Sequence, residues 1–235
     1  MRGQPLTKRA LDAIRGRMGG FALAGGTALA LYYLRHRRSD DIDLFLPRPA
    51  EGWRIATLDL AAGPVLEAWR GAGIVVRPGI DHVTGEGVIG RRFSLLRGTD
   101  VLKADLVGDP VPRLAPPEDS GGVQVLGIDD IYLRKILIGA SGPFAAEPRI
   151  EGRDLLDIHA LSTEHHPFAA RLTAMRIEWR AVRALQGWLD RFTPATVGAA
   201  IRETGYRIEK DPGTILAHVR EELRRAAAAM LKGGR

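Results

Sequence analysis

The apolar positions of this chain change their period part-way along. Up to about residue 125 they fall in short runs and alternating stretches; beyond it they recur at helical spacing. Leu6, Ala10, Leu11 and Ile14 predict a first helix over 5–18, with Pro5 suited to its start and Gly19-Gly20 to its stop. FALA (21–24) is a short apolar run broken by Gly25-Gly26, and TALALYYLR (27–35) reads as a second helix. DIDLFL (41–46) alternates polar and apolar and ends at Pro47, a strand pattern. Residues 53–72 read as helical with an interruption at Gly63-Pro64, and IVVRP (74–78) is β-like. VIGRRFSLL (88–96) and VLKADLV (101–107) are strand candidates joined by the turn Arg97-Gly98-Thr99-Asp100. The Pro- and Gly-rich stretch 108–122 reads as a linker or wandering loop. Helices are expected over 128–140, 153–162, 168–192, near 194–204 and over 212–232. The fold class is therefore α+β. A core over 1–125, with a mixed or antiparallel sheet and flanking helices, precedes a helical region over 126–235.

Composition narrows the class. With 235 residues and 45% hydrophobic content the chain can bury a substantial core. No apolar run approaches the roughly 18 to 20 residues of a membrane helix, and the N-terminus lacks the apolar core of a signal peptide. The absence of cysteine excludes disulfides and cysteine-ligated zinc, and a cytoplasmic location fits. The net charge of +6 lies wholly in residues 169–235, which carry 13 basic and 7 acidic residues. That region is either a solvated helical surface or a face for an acidic partner such as nucleic acid.

Three features carry candidate chemistry. Gly25-Gly26-Thr27 stands where an apolar strand hands over to a helix. Glycines there let the backbone approach a phosphate, the helix start favours anions, and Thr27 adds a hydroxyl. Asp41 and Asp43 are i and i+2 in a strand, so both project from one face. Paired carboxylates repel unless a cation sits between them, and Mg²⁺ suits carboxylate and phosphate oxygens. Asp105 interrupts the strand VLKADLV on the face that also carries Lys103 and Val101. In one sheet with Asp41 and Asp43 it completes a carboxylate triad of the kind that holds two metal ions about 3.5–4 Å apart.

GG-T, about 14 residues, then D-I-D resembles the signature of the DNA polymerase β-like nucleotidyltransferase superfamily. The longer string GGTALALYYLRHRRSDDIDLF is similar to the opening motif of the AbiEii/AbiGii-type nucleotidyltransferase toxins, with Arg37, Ser39, Asp41 and Asp43 matching. Lys135 in a helix, followed by Arg153-Asp154 with Asp157 at a second acidic position, resembles the later motifs. The resemblance spans about residues 20–162. It implies that Gly25, Gly26, Thr27, Arg37, Ser39, Lys135 and Arg153 bind a nucleoside triphosphate. It implies that Asp41, Asp43 and Asp105 ligate Mg²⁺ (two ions), with Asp105 as an alternative proton acceptor, and that Asp154 orients the acceptor hydroxyl. It further implies a toxin–antitoxin or phage-defence setting, a cognate antitoxin, and tRNA 3′ ends as one acceptor class. An antibiotic-modifying transferase and a non-catalytic nucleotide- or RNA-binding module of the same fold are the alternatives. No P-loop and no G-x-S-x-G elbow is present. His159, His165 and His166 fit no zinc spacing and read as residues of an exposed helix end.

Overall fold

The computed structural model describes residues 5–49, 52–84, 87–140, 152–174 and 179–233. The chain divides into two compact units. One comprises Met1–Ala28 and Asp40–Asp130, the other Leu29–Ser39 and Ile131–Arg235.

The first unit is built on a single eight-stranded sheet. Its strands are β1 (Ala22–Ala24), β2 (Asp41–Pro47), β3 (Val75–Pro78), β4 (His82–Thr84), β5 (Gly87–Arg97), β6 (Asp100–Asp109), β7 (Glu118–Ser120) and β8 (Val123–Val125). The order is β3-β5-β6-β2-β1-β8-β7, with β4 also on β5. Only the β2–β6 and β1–β8 pairs are parallel; the rest are antiparallel. The mixed, mostly antiparallel sheet with flanking helices agrees with the α+β expectation. Ile42, Leu44, Leu95, Leu102, Ala104 and Leu106 are buried on one face, against helices α1 (Leu6–Ala13) and α3 (Ile55–Gly71).

Two expectations here are corrected. The stretch 108–122 is not all loop: Glu118–Ser120 and then Val123–Val125 form the hairpin β7–β8 around Gly121-Gly122, both at positive φ. Strands this short leave no periodicity to detect, but Val123 and Val125 are buried. Helix α3 runs unbroken through Pro64. A mid-helix proline costs about 3 kcal/mol. Leu58, Ala62, Val65, Ala68 and Trp69 bury one face of that helix, and the Trp69 indole donates to the carbonyl of Ala10 at 3.0 Å. Burying each large apolar side chain contributes about 1.5–3 kcal/mol, which outweighs one lost hydrogen bond.

In the second unit the segment that opens it is a π-helical turn, Leu29–Tyr33, continuing the short helix α2 (Gly25–Ala28); the Leu34 amide donates to the Leu29 carbonyl at 2.8 Å. Helices α4 (Ile128–Ala140), α5 (Gly152–Glu164), α6 (Phe168–Ala174), α7 (Trp179–Leu189), α8 (Pro194–Thr204) and α9 (Pro212–Gly233) follow. Helix α9 packs against α5, α6, α7 and α8. Thr193 caps α8 in a reciprocal capping box with Thr196, and Gly205 ends it at φ 64°. The helix expected over 168–192 includes 175–178, which lie outside the described residues, as does the interval 141–151 between Lys135 and Arg153.

Candidate active site

Strands β2 and β6 run in parallel with Asp43 opposite Asp105 and Asp41 opposite Lys103. Register and alternation thus put Asp41, Asp43 and Asp105 on one sheet face, while Ile42, Leu44 and Leu106 enter the core on the other. Asp41 and Asp43 are half-buried. The turn from β1 into α2 lies beside them, because Ala24 pairs with Asp43. Gly25 has φ 64°, and a Cβ there would overlap the Asp43 carboxylate, so both backbone and space require glycine. The buried Thr27 hydroxyl donates to the Asp41 carbonyl and lies 3.4 Å from Asp41 Oδ1. Gly25, Gly26, Thr27, Asp41, Asp43 and Asp105 therefore gather in the first unit.

Asp105 has three basic neighbours. Arg92 donates through Nε to Oδ1 at 2.8 Å and through Nη2 to Oδ2 at 3.3 Å. Lys103 Nζ is 3.1 Å from Oδ2 and His82 Nε2 is 3.2 Å from Oδ1. Burial would raise the Asp105 pKa, but His82, Arg92 and Lys103 outweigh it and hold the carboxyl well below the usual range. Sequence parity shows Lys103 beside Asp105; it does not show Arg92 or His82, which arrive from β5 and β4 through the pairing of the sheet.

The remaining candidates sit in the second unit. Lys135 Nζ lies 2.6 Å from Asp154 Oδ1 and 2.8 Å from Asp157 Oδ2. Asp157 also accepts both arms of the Arg37 fork, at 2.6 and 2.9 Å, and His36 Nε2 is 2.7 Å from its Oδ1. All five residues are buried. Burial opposes the charge on both Lys135 and Asp157; mutual attraction wins, raising the Lys135 pKa and holding the Asp157 pKa well below the carboxylate range. Asp154 Oδ2 and His36 Nδ1 are buried with no hydrogen-bond partner among the described residues. Ser39 and Arg153 are half-buried. His36 and Asp157 emerge as members of this network although no local pattern marks them; 121 residues separate the pair. His159 is buried rather than exposed: its Nδ1 lies 2.6 Å from the Tyr206 hydroxyl, and burial pushes its pKa down to about 4.

A model of the family described as nucleotidyl transferase AbiEii toxin, type IV toxin–antitoxin system, matches residues 9–234. The chain belongs to that family. It is thus a nucleotidyltransferase by family. No curated protein sequence matches it. Its fold is similar to the crystal structure of JHP933 from Helicobacter pylori, with a TM-score of 0.57 and 16% identity, covering 97% of this chain and 93% of that one. A second H. pylori structure, whose nucleotidyltransferase assignment is provisional, gives a TM-score of 0.56 at 16% identity over 99% of this chain and 98% of its own. At such identity these two likenesses speak to fold. No described helix is long and apolar enough to cross a membrane.

Proposed function

We propose that this AbiEii-family protein transfers a nucleoside monophosphate from a nucleoside triphosphate to the 3′ hydroxyl of tRNA, using Mg²⁺. The observation that carries the reading is the shared face of Asp41, Asp43 and Asp105 beside the glycine turn. The donor set is all oxygen and Asp105 stays ionised, which fits a hard divalent cation; Asp41, Asp43 and Asp105 would hold it. Mg²⁺ supplies charge stabilisation for the departing pyrophosphate.

The acceptor hydroxyl releases its proton to solvent as its oxygen bonds to the α-phosphorus, while the α–β phosphoanhydride bond breaks and pyrophosphate leaves. The Gly25-Gly26 backbone and the start of α2 face the triphosphate. In the second unit Arg37, Ser39, Lys135 and Arg153 contribute to triphosphate binding. Asp154, whose Oδ2 has no hydrogen-bond partner among the described residues, is assigned to orient the acceptor hydroxyl, and Asp157 holds Lys135 and Arg37 in place. A cognate antitoxin is the genetic partner, and the cytoplasm is the location.

The test incubates the protein and its Asp41→Ala, Asp43→Ala double variant with Mg²⁺, each α-labelled nucleoside triphosphate and total tRNA. Label on tRNA from the wild type alone supports the reading and identifies the nucleotide. Label on a small-molecule acceptor instead moves the protein to the antibiotic-modifying class. Magnesium-dependent triphosphate binding with no transfer makes it a binding module.

A further inference from the structure

The sheet face that bears the carboxylates extends beyond them in register. Val75, Leu96 and Val101 align across β3, β5 and β6. The next rung inward is Arg77, Ser94, Lys103 and then Asp41; the one after is Arg92, Asp105 and Asp43. The opposite face of the same strands is core, with Leu95, Leu102 and Ala104 buried. This face is open: Val75 and Val101 are 55% and 66% exposed, and Arg77 is exposed as well. Contiguous exposed apolar side chains rimmed by polar ones are a mark of interaction sites.

The basic residues on the two charged rungs are not equivalent. Arg92 and Lys103 are engaged with Asp105, whereas Arg77 makes no ion pair among the described residues. Ser94 adds a hydroxyl donor between Arg77 and Lys103. The face thus runs from apolar, through cationic and hydroxyl-bearing, to carboxylate. Part of the basic surplus of residues 169–235 is already neutralised, because Arg224 and Arg225 are paired with Glu221 and Glu222.

Resting on the transfer reading above, we propose that the Val75–Leu96–Val101 and Arg77–Ser94–Lys103 rungs form the docking surface for a single-stranded RNA acceptor. Its phosphates lie on Arg77, Ser94 and Lys103, riboses and bases cover the valine row, and the terminal hydroxyl reaches the carboxylates. Cations that track a backbone, next to area on which sugars and bases can rest, are the components of single-strand recognition.

Fluorescence anisotropy with a 5′-labelled, mixed-sequence, single-stranded RNA, over a salt series, tests the surface. Arg77→Glu is compared with Arg202→Glu, an exposed residue of α8 whose reversal changes net charge equally. The expected result is about tenfold weaker binding for Arg77→Glu and a salt slope shallower by about one, with Arg202→Glu within about twofold of wild type. Arg77→Gln gives an intermediate loss, and unfolding curves report that each variant is folded. Equal loss in both reversals, no loss in Arg77→Glu, or no wild-type binding overturns the surface. The labelled-nucleotide assay separates the two readings. Arg77-dependent RNA binding without transfer leaves the surface standing and removes the reaction; transfer to RNA that ignores Arg77 does the reverse.

Discussion

The two units use the same residue types under opposite conditions. In the first, Asp41 and Asp43 stand half-buried side by side on a sheet face, with Asp105 in register and balanced by Arg92, Lys103 and His82. In the second, Asp154 and Asp157 are buried and gripped by Lys135, Arg37 and His36. Asp41 and Asp43, half-exposed, cost little to keep, whereas Asp105 is buried and held by its three basic neighbours. A buried ion network, once formed, is expensive to open because each survivor is left charged without its partner. On the proposed function, carboxylates of the first kind answer to ligands, whereas those of the second also answer to folding.

The largest expected effect breaks the first side of that contrast. Asp43→Asn should lower transfer about a thousandfold, the several kcal/mol of charge stabilisation that a bound cation contributes. Its unfolding free energy should change by far less than the loss in activity corresponds to; a fall in step with activity would put Asp43 in the architecture. The next effect breaks the other side. Asp157→Ala should cost about 3–5 kcal/mol of stability, read by denaturant unfolding, because Lys135 and Arg37 lose a shared counter-charge in the interior. An unaltered midpoint would mean that solvent or another group takes the load. Gly25→Ala should cost about 1–3 kcal/mol through its left-handed backbone, and activity too through displacement of Asp43.

Smaller effects follow from pH. The Asp157 pKa is held below its unfolded value near 3.8, so its contribution is full above that pH and is lost as pH falls through it. His159 works in the same direction over a higher window. Its pKa drops from 6.5 to about 4 on folding, so the unfolded chain takes up the proton first and stability declines as pH falls from 6.5 to 4. His159→Gln should flatten the unfolding-temperature profile in that window while leaving the steeper decline below it.

Much of the first unit was legible in the chain. The alternation of DIDLFL placed Asp41 and Asp43 on one face, and the parity of VLKADLV placed Asp105 with Lys103, because strand geometry is local. What the chain did not reveal was set by pairing at a distance. Arg92 and His82 reach Asp105 only through sheet register, and the π-helical turn of Leu29–Tyr33 leaves no periodic mark. The second unit was legible as helices but not as a network. Lys135 and Asp154 stood out by resemblance, yet their burial, and the joining of His36 and Arg37 to Asp157, depend on tertiary packing.

The central claim is that the sheet carboxylates hold the divalent cation that carries the nucleotide. Thermal unfolding with an α,β-nonhydrolysable nucleoside triphosphate, titrated with Mg²⁺, tests it most directly. The wild type should gain stability with rising Mg²⁺, by about 2.7 kcal/mol at a hundredfold excess over the dissociation constant. The Asp41→Asn, Asp43→Asn double variant, measured against its own ion-free unfolding temperature, should gain nothing from the ion. Equal Mg²⁺-dependent stabilisation of both proteins would contradict the account and send the cation elsewhere.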